Sequence, residues 1–280
     1  MMKRTVRAVF VAAMMTTFSY AQNAFIHAKY QNFDFDRSLQ KRHAARYIVH
    51  FGYKEGESHF EAAYGKTDTE TFQPPLPNDL NVKKYYFKYT YAIDDKQAVS
   101  FSYATISDNL AKETDGGKIY GVSYRYADMK LSQYISDYRH FNVYQTDVGF
   151  TKKYRNGQFG LKAALLGKYI RLQNRKSNGF SAKAKSDYFT ACMKLGATYE
   201  KWHAGAGVFF GKRIFAVMNN GFGVQHHAME FDRTYAFSLG KKIGAFDISV
   251  EYAYMRATEV PISNRGVEID GFTIGMRYAF

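Results

Sequence analysis

A chain of 280 residues with 39 Lys plus Arg against 25 Asp plus Glu has a formal charge of +14, and its length suits one large all-β domain or two ordinary ones. Aromatic residues make up 18% of it, 24 Tyr and 24 Phe among them, and Pro is used only four times; a disordered chain is excluded, because so much ring surface must be buried or meet lipid. No apolar run of about 18 residues follows the first two dozen positions, which excludes a helical membrane protein, and a single cysteine, Cys192, cannot form an internal disulfide.

At the N-terminus, Lys3, Arg4 and Arg7 precede an apolar stretch from Ala8 to Met15, and Ser19-Tyr20-Ala21 puts small residues at the −3 and −1 positions. The pattern is that of a cleavable secretory signal peptide, residues 1–21, followed by a single domain over 22–280. The stretch is too short to anchor the chain across about 30 Å of hydrocarbon. Its removal takes three of the 14 net positive charges and leaves +11. Such a charge would suggest nucleic acid, but export argues against that partner.

Strand periodicity starts near Ala24 to Phe35 and runs to the C-terminus. In Lys84 to Ile93, residues Tyr85, Phe87, Tyr89, Tyr91 and Ile93 share one face, opposite Lys84, Lys88 and Thr90. The layout recurs with Val99, Phe101 and Tyr103 against Ser100 and Ser102, and with Tyr120, Val122, Tyr124 and Tyr126 against Gly121, Ser123 and Arg125. It returns with Phe246, Ile248, Val250, Tyr252 and Tyr254 against Asp247, Ser249 and Glu251, and ends with Phe272, Ile274, Met276, Tyr278 and Phe280 against Thr273, Gly275 and Arg277.

The connections alternate in length. Short turns are expected at 54–58, 94–97, 127–130, 155–158, 200–203 and 240–245, where Asn156-Gly157 is a strong hairpin dipeptide. Longer polar segments are expected at 36–43, 68–81, 107–117, 173–186, 217–227 and 258–267. The count is about fourteen strands, each of roughly nine to twelve residues, a length suited to a tilted membrane strand. Between Leu131 and Thr151 two strands would meet near Phe141-Asn142 with little room for a loop, and a different reading there, or demotion of the N-terminal strand, gives twelve.

A water-soluble sandwich also alternates, but it fills its core mainly with Val, Ile and Leu, whereas the apolar parity here is rich in Tyr and Phe. The opposite parity carries Lys, Arg, Glu, Ser and Thr, which a dry core would not tolerate unpaired. The pattern fits a transmembrane antiparallel up-and-down β-barrel with lipid outside and water inside. With its leader, its short-turn and long-loop alternation and its aromatic terminal strand, the chain from about 24 to 280 resembles porin-like outer-membrane β-barrel proteins of Gram-negative bacteria. The resemblance implies outer-membrane lipid and lipopolysaccharide as surroundings, short turns in the periplasm and long loops outside. It also implies the barrel-assembly machinery as a partner reading the terminal signal Tyr278 and Phe280.

Twelve to fourteen strands imply a narrow or partly plugged lumen. No segment has the length of a separate plug domain, so the loops are expected to constrict the mouth without sealing it. On strand parity the lumen receives Arg46, Lys84, Lys88, Arg125, Lys162, Lys168, Lys194 and Arg277, against Glu61, Asp247 and Glu251. Rings of bases lower the entry energy of anions, so a pore for small hydrophilic solutes with a weak anion preference is expected. The competing reading pairs these bases with acids such as Asp137 and Asp147. The basic loop 173–186, with Arg175, Lys176, Lys183 and Lys185, is either a solvated loop or a contact for lipopolysaccharide phosphates.

An outer-membrane enzyme would need an activating His beside an acid or nucleophile. His226, His227, Glu230 and Asp232 cluster at one expected outer mouth and are the best candidates, ahead of His50 and His59 beside a periplasmic turn. The His226-His227 pair lacks a third metal ligand at recognisable spacing, and Cys192 reads as a small filler. No cofactor motif is present. The remaining alternative is an adhesin or structural barrel.

Overall fold

The computed structural model describes residues 23–174 and 180–280. The signal-peptide expectation, residues 1–21, lies outside the described residues, as do Arg175 and Lys176 of the basic loop.

Fourteen long strands form the wall: β1 (Ala24–Asp36), β2 (Lys41–Glu55), β3 (Ser58–Thr71), β4 (Leu80–Ala92), β5 (Gln97–Asp108), β6 (Lys118–Tyr126), β7 (Met129–Tyr138), β8 (Phe141–Asn156), β9 (Phe159–Gln173), β10 (Asp187–Tyr199), β11 (Trp202–Arg213), β14 (Met229–Ile243), β15 (Phe246–Glu259) and β16 (Asn264–Ala279). Two short strands, β12 (Val217–Met218) and β13 (Gly223–Val224), pair with each other inside the β11–β14 connection. Each wall strand is antiparallel to its chain neighbours, and β1 pairs with β16 to close an up-and-down barrel. Phe280 N donates to the Ala24 carbonyl at the seam.

The stretch between Leu131 and Thr151 resolves to two strands, because β7 and β8 are joined by Arg139-His140 alone. The count is fourteen rather than twelve. The strands run from nine residues in β6 to sixteen in β8 and β16, longer than the sequence expectation, because β15 and β16 continue their ladder until only 260–263 remain between them.

The pairing register divides every strand into two faces. One face carries Phe87, Phe101, Val122, Phe237, Tyr252 and Phe272, each about half exposed. A protein in water would not leave so continuous an apolar surface uncovered, whereas lipid is its natural cover. Cross-strand aromatic pairs line this face: Phe60–Tyr89 and Phe246–Tyr278 lie toward the short-turn end, and Tyr64–Tyr85 and Tyr103–Tyr120 higher up the wall, with centroids 4.9 to 5.4 Å apart. Such pairs add packing beyond their own burial.

Candidate functional site: the barrel interior and its inserted segment

Following the register from Lys84 around the barrel places the eleven bases and acids expected in the lumen on the inward face: Arg46, Glu61, Lys84, Lys88, Arg125, Lys162, Lys168, Lys194, Asp247, Glu251 and Arg277. Asp147 is inward as well, while Asp137 points to the outer face.

The β11–β14 connection departs from expectation. Residues 217–227 read as a polar outer loop, but the whole connection, 214–228, turns into the barrel. Ile214, Phe215, Ala216 and Val217 are completely buried. Phe215 packs on Phe141 and Tyr138, at 4.9 and 6.1 Å between centroids, in a core that also includes Val82, Ile106, Val143 and Ile170. The cause is in the wall: toward the loop end, the inward faces of β4 to β10 turn apolar and need a partner inside. Burying Ile214, Phe215 and Val217 contributes roughly 1.5–3 kcal/mol per side chain, so the segment is seated rather than adrift.

Polar wall residues fix its backbone. Gln145 donates to the Val217 carbonyl and accepts from the Val217 N–H, both at 2.8 Å. Lys168 Nζ donates to the same carbonyl at 3.0 Å and pairs with Asp147 at 2.5 Å. Lys84 Nζ donates to the Val224 carbonyl at 2.6 Å. At the tip, a 3-10 turn over Asn219–Gly221 meets Lys130, whose Nζ donates to Asn220 Oδ1 at 3.1 Å. Gly221 has φ +100, and a Cβ there would lie 3.1 Å from Ser102; the close approach to β5 therefore requires glycine.

The segment returns to the wall at a second anchor. Asp108 Oδ2 accepts from His226 Nε2 at 2.8 Å and His227 Nε2 at 3.0 Å, and its Oδ1 accepts from the Leu110 and Ala111 backbone. Burial, reinforced by nearby cations, holds both imidazoles neutral, His226 far below its ordinary value and His227 down to about 4. These three residues supply the third donor that spacing along the chain did not reveal: one carboxylate oxygen and two imidazole nitrogens lie within 4.8 Å of one another. Lys41 Nζ, however, donates to His227 Nδ1 at 3.3 Å, which leaves the proton on Nε2 and directs it to Asp108. The wiring is that of a latch, and its ammonium neighbour opposes a cation. Glu230 instead pairs with Lys212, and Asp232 with Arg233 and Arg256, so the four residues grouped as an enzyme candidate do not converge.

Below the segment the interior is polar. Glu61 is met by His50 at 3.3 Å, His59 at 3.8 Å and Lys88 at 3.1 Å, so both histidines face inward. Phe222, on the segment, stacks on His50 at 4.6 Å and lies under the Lys88 ammonium at 5.6 Å. A lateral row, Asp247, Arg277, His27 and His50, crosses four adjacent strands, and His203 Nε2 reaches Asp247 at 2.7 Å. The inward bases thus fall into groups. Lys84 and Lys168 are buried against the segment. Lys88 pairs with Glu61, and Lys168 with Asp147, the second as the competing sequence reading allowed. Arg46 bonds Thr67 and lies over Phe33, and Arg277 lies over Phe25. Lys162, Lys194, Glu251 and Arg277 stay open to interior water. Cys192 is buried on the inward face.

At the loop end, Glu259 gathers Ser38 Oγ, the Leu39 N–H and Asn264 Nδ2. Lys183 of the basic loop donates to the Pro261 carbonyl, tying the β9–β10 connection to the β15–β16 connection.

No family model and no curated sequence matches the chain. Among solved structures it is similar to the Acinetobacter baumannii outer membrane protein Omp33, with a TM-score of 0.52 and 9% identity over 93% of this chain and 100% of that one. It is similar to the Ralstonia pickettii toluene transporter TbuX, with a TM-score of 0.55 and 12% identity over 92% and 90%. For the CymD monoaromatic hydrocarbon channel the values are 0.53 and 11% over 92% and 88%. With its closed fourteen-strand wall, apolar exterior and polar interior, the chain carries the fold of bacterial outer-membrane β-barrel proteins.

Proposed function

We propose that the protein is a channel of a Gram-negative outer membrane for passive diffusion of small hydrophilic solutes, that it prefers anions, and that it performs no chemistry. The observation that carries this reading is the inward register. Besides the eight bases read from sequence, Lys29, Lys130, Lys153, Arg213 and Lys242 share the inward face, against Glu61, Asp108, Asp147, Asp247 and Glu251. Unpaired bases in a confined aqueous space lower the energy of an entering anion. The solute passes the inserted segment along the side where Lys162, Lys194 and Arg277 meet water. Short turns face the periplasm, loops face outward beside lipopolysaccharide, and the terminal Tyr278 and Phe280 serve as the assembly signal.

A second reading is a channel for small apolar molecules. The apolar core inside the barrel around Phe215 and Phe141 favours it, as does the likeness to TbuX, a toluene transporter, and CymD, a monoaromatic hydrocarbon channel. Planar-bilayer recording of refolded mature protein in a salt gradient tests the first reading: stepwise currents with an anion-selective reversal potential are expected. Absence of steps removes the hydrophilic pore, and a cation-selective potential removes the anion preference. Uptake of toluene into proteoliposomes without ion currents would support the second reading.

A further inference from the structure

We propose that the cavity beneath the inserted segment is a binding site for a small oxyanion, a carboxylate or a phosphate, and that its occupant draws Lys130 away from Asn220. The inference deepens the channel reading and rests on it for the route by which the anion arrives.

The cavity measures about 410 Å³ and is lined by Lys88, Arg125, Lys130, Glu61, hydroxyl groups of β4 to β6, and Asn220 as its roof. That volume lies in the range of small-molecule sites. The charges facing it do not balance. Lys88 shares Glu61 with His50 and His59. Arg125 donates only to the Lys96 carbonyl, at 3.3 Å, and Lys130 to the Asn220 amide oxygen. Among the described residues neither of these two bases has a carboxylate within ion-pair distance. Arg125 and Lys130, two cations without a carboxylate partner, stand with Lys88 around one polar space and make an anion-binding arrangement; the Thr90 and Ser100 hydroxyls bond each other and Ser123 donates to Ser132, and Glu61 is already paired with its own neighbours.

The coupling to the segment follows from Lys130. An oxyanion offers the Lys130 ammonium an opposite charge as well as an acceptor, whereas Asn220 offers only a neutral amide oxygen, so an occupant competes for the ammonium. The tip of the segment then loses its contact with β7, while Phe222 keeps the segment over His50.

Isothermal titration of the refolded mature protein in detergent with sodium phosphate and, separately, sodium acetate tests the site without requiring a current. Saturable binding of at least one of them is expected, weakened at least tenfold in Arg125→Gln/Lys130→Gln and retained in Lys130→Arg. Lys242→Gln, an inward base outside the cavity, should bind as the parent does. The heat-dependent gel shift of a closed barrel confirms that each variant is folded. Absence of binding, or equal binding in the double variant, overturns the proposal. In bilayers, phosphate should reduce chloride current with a saturating dependence that the double variant loses. Binding without any current would remove the channel reading and leave the site standing, and current without binding would do the reverse.

Discussion

Lys168 on β9 and Val217 on the inserted segment are joined by a 3.0 Å hydrogen bond from the ammonium to the carbonyl, and the same ammonium is paired with Asp147. A residue on the expected lumen face thus serves to hold a piece of chain inside the barrel. Replacing Lys168 alone would strand a buried carboxylate, at about 3–5 kcal/mol. The informative variant is Lys168→Met/Asp147→Asn, which removes the tether and leaves no lone charge. Its single-channel conductance should exceed that of the parent about twofold or more, and the gel shift of the folded barrel should be unchanged.

The histidine latch should weaken in acid. His226 and His227 are neutral when seated beside Asp108, Lys41 and Lys84, with His227 held down to about 4. A displaced segment would expose them to solvent, where a histidine titrates near 6.5. The displaced state therefore binds more protons between those values, and the seated state loses stability as pH falls from about 6.5 toward 4. Current recorded across that range should rise on acidification. Asp108→Asn, which weakens hydrogen bonds worth about 1.5–3 kcal/mol each, should already show the raised current at neutral pH.

Selectivity should respond to the bases that remain in water. Lys162→Glu/Lys194→Glu should move the reversal potential in a salt gradient toward cations. Lys84 and Lys88 are poorer probes, since one holds Val224 and the other Glu61. An unmoved potential in the Lys162 and Lys194 variant would place these residues away from the ion path.

The outer face should refuse charge. Val122 is half exposed on that face, and Val122→Arg should cost about 2–4 kcal/mol if the residue sits near the bilayer midplane. Urea unfolding from lipid vesicles measures it.

The barrel was legible because alternation is a local signal: Tyr85, Phe87 and Tyr89 against Lys84 and Lys88 orient a strand without knowledge of its neighbours. The inserted segment was not, because its polar, glycine-containing 217–227 stretch resembles any exposed loop, and what draws it inward lies elsewhere. A signal did exist. Ile170 and Leu172 share the parity of Lys168, and Phe141 and Val143 that of Asp147, so the inward face of these strands turns apolar toward the loop end. An apolar inward face cannot be left against lumen water and must be covered by protein. The latch was beyond reach because Asp108 and His226 are 118 residues apart, and only closure of the barrel brings them together.

The most direct measurement replaces residues 215–227 with a short Gly-Ser link and records single channels of the shortened protein beside the parent. If the segment occupies the lumen and narrows the path, conductance should rise several-fold with the barrel intact. A shortened barrel that folds and conducts as the parent does would contradict the account.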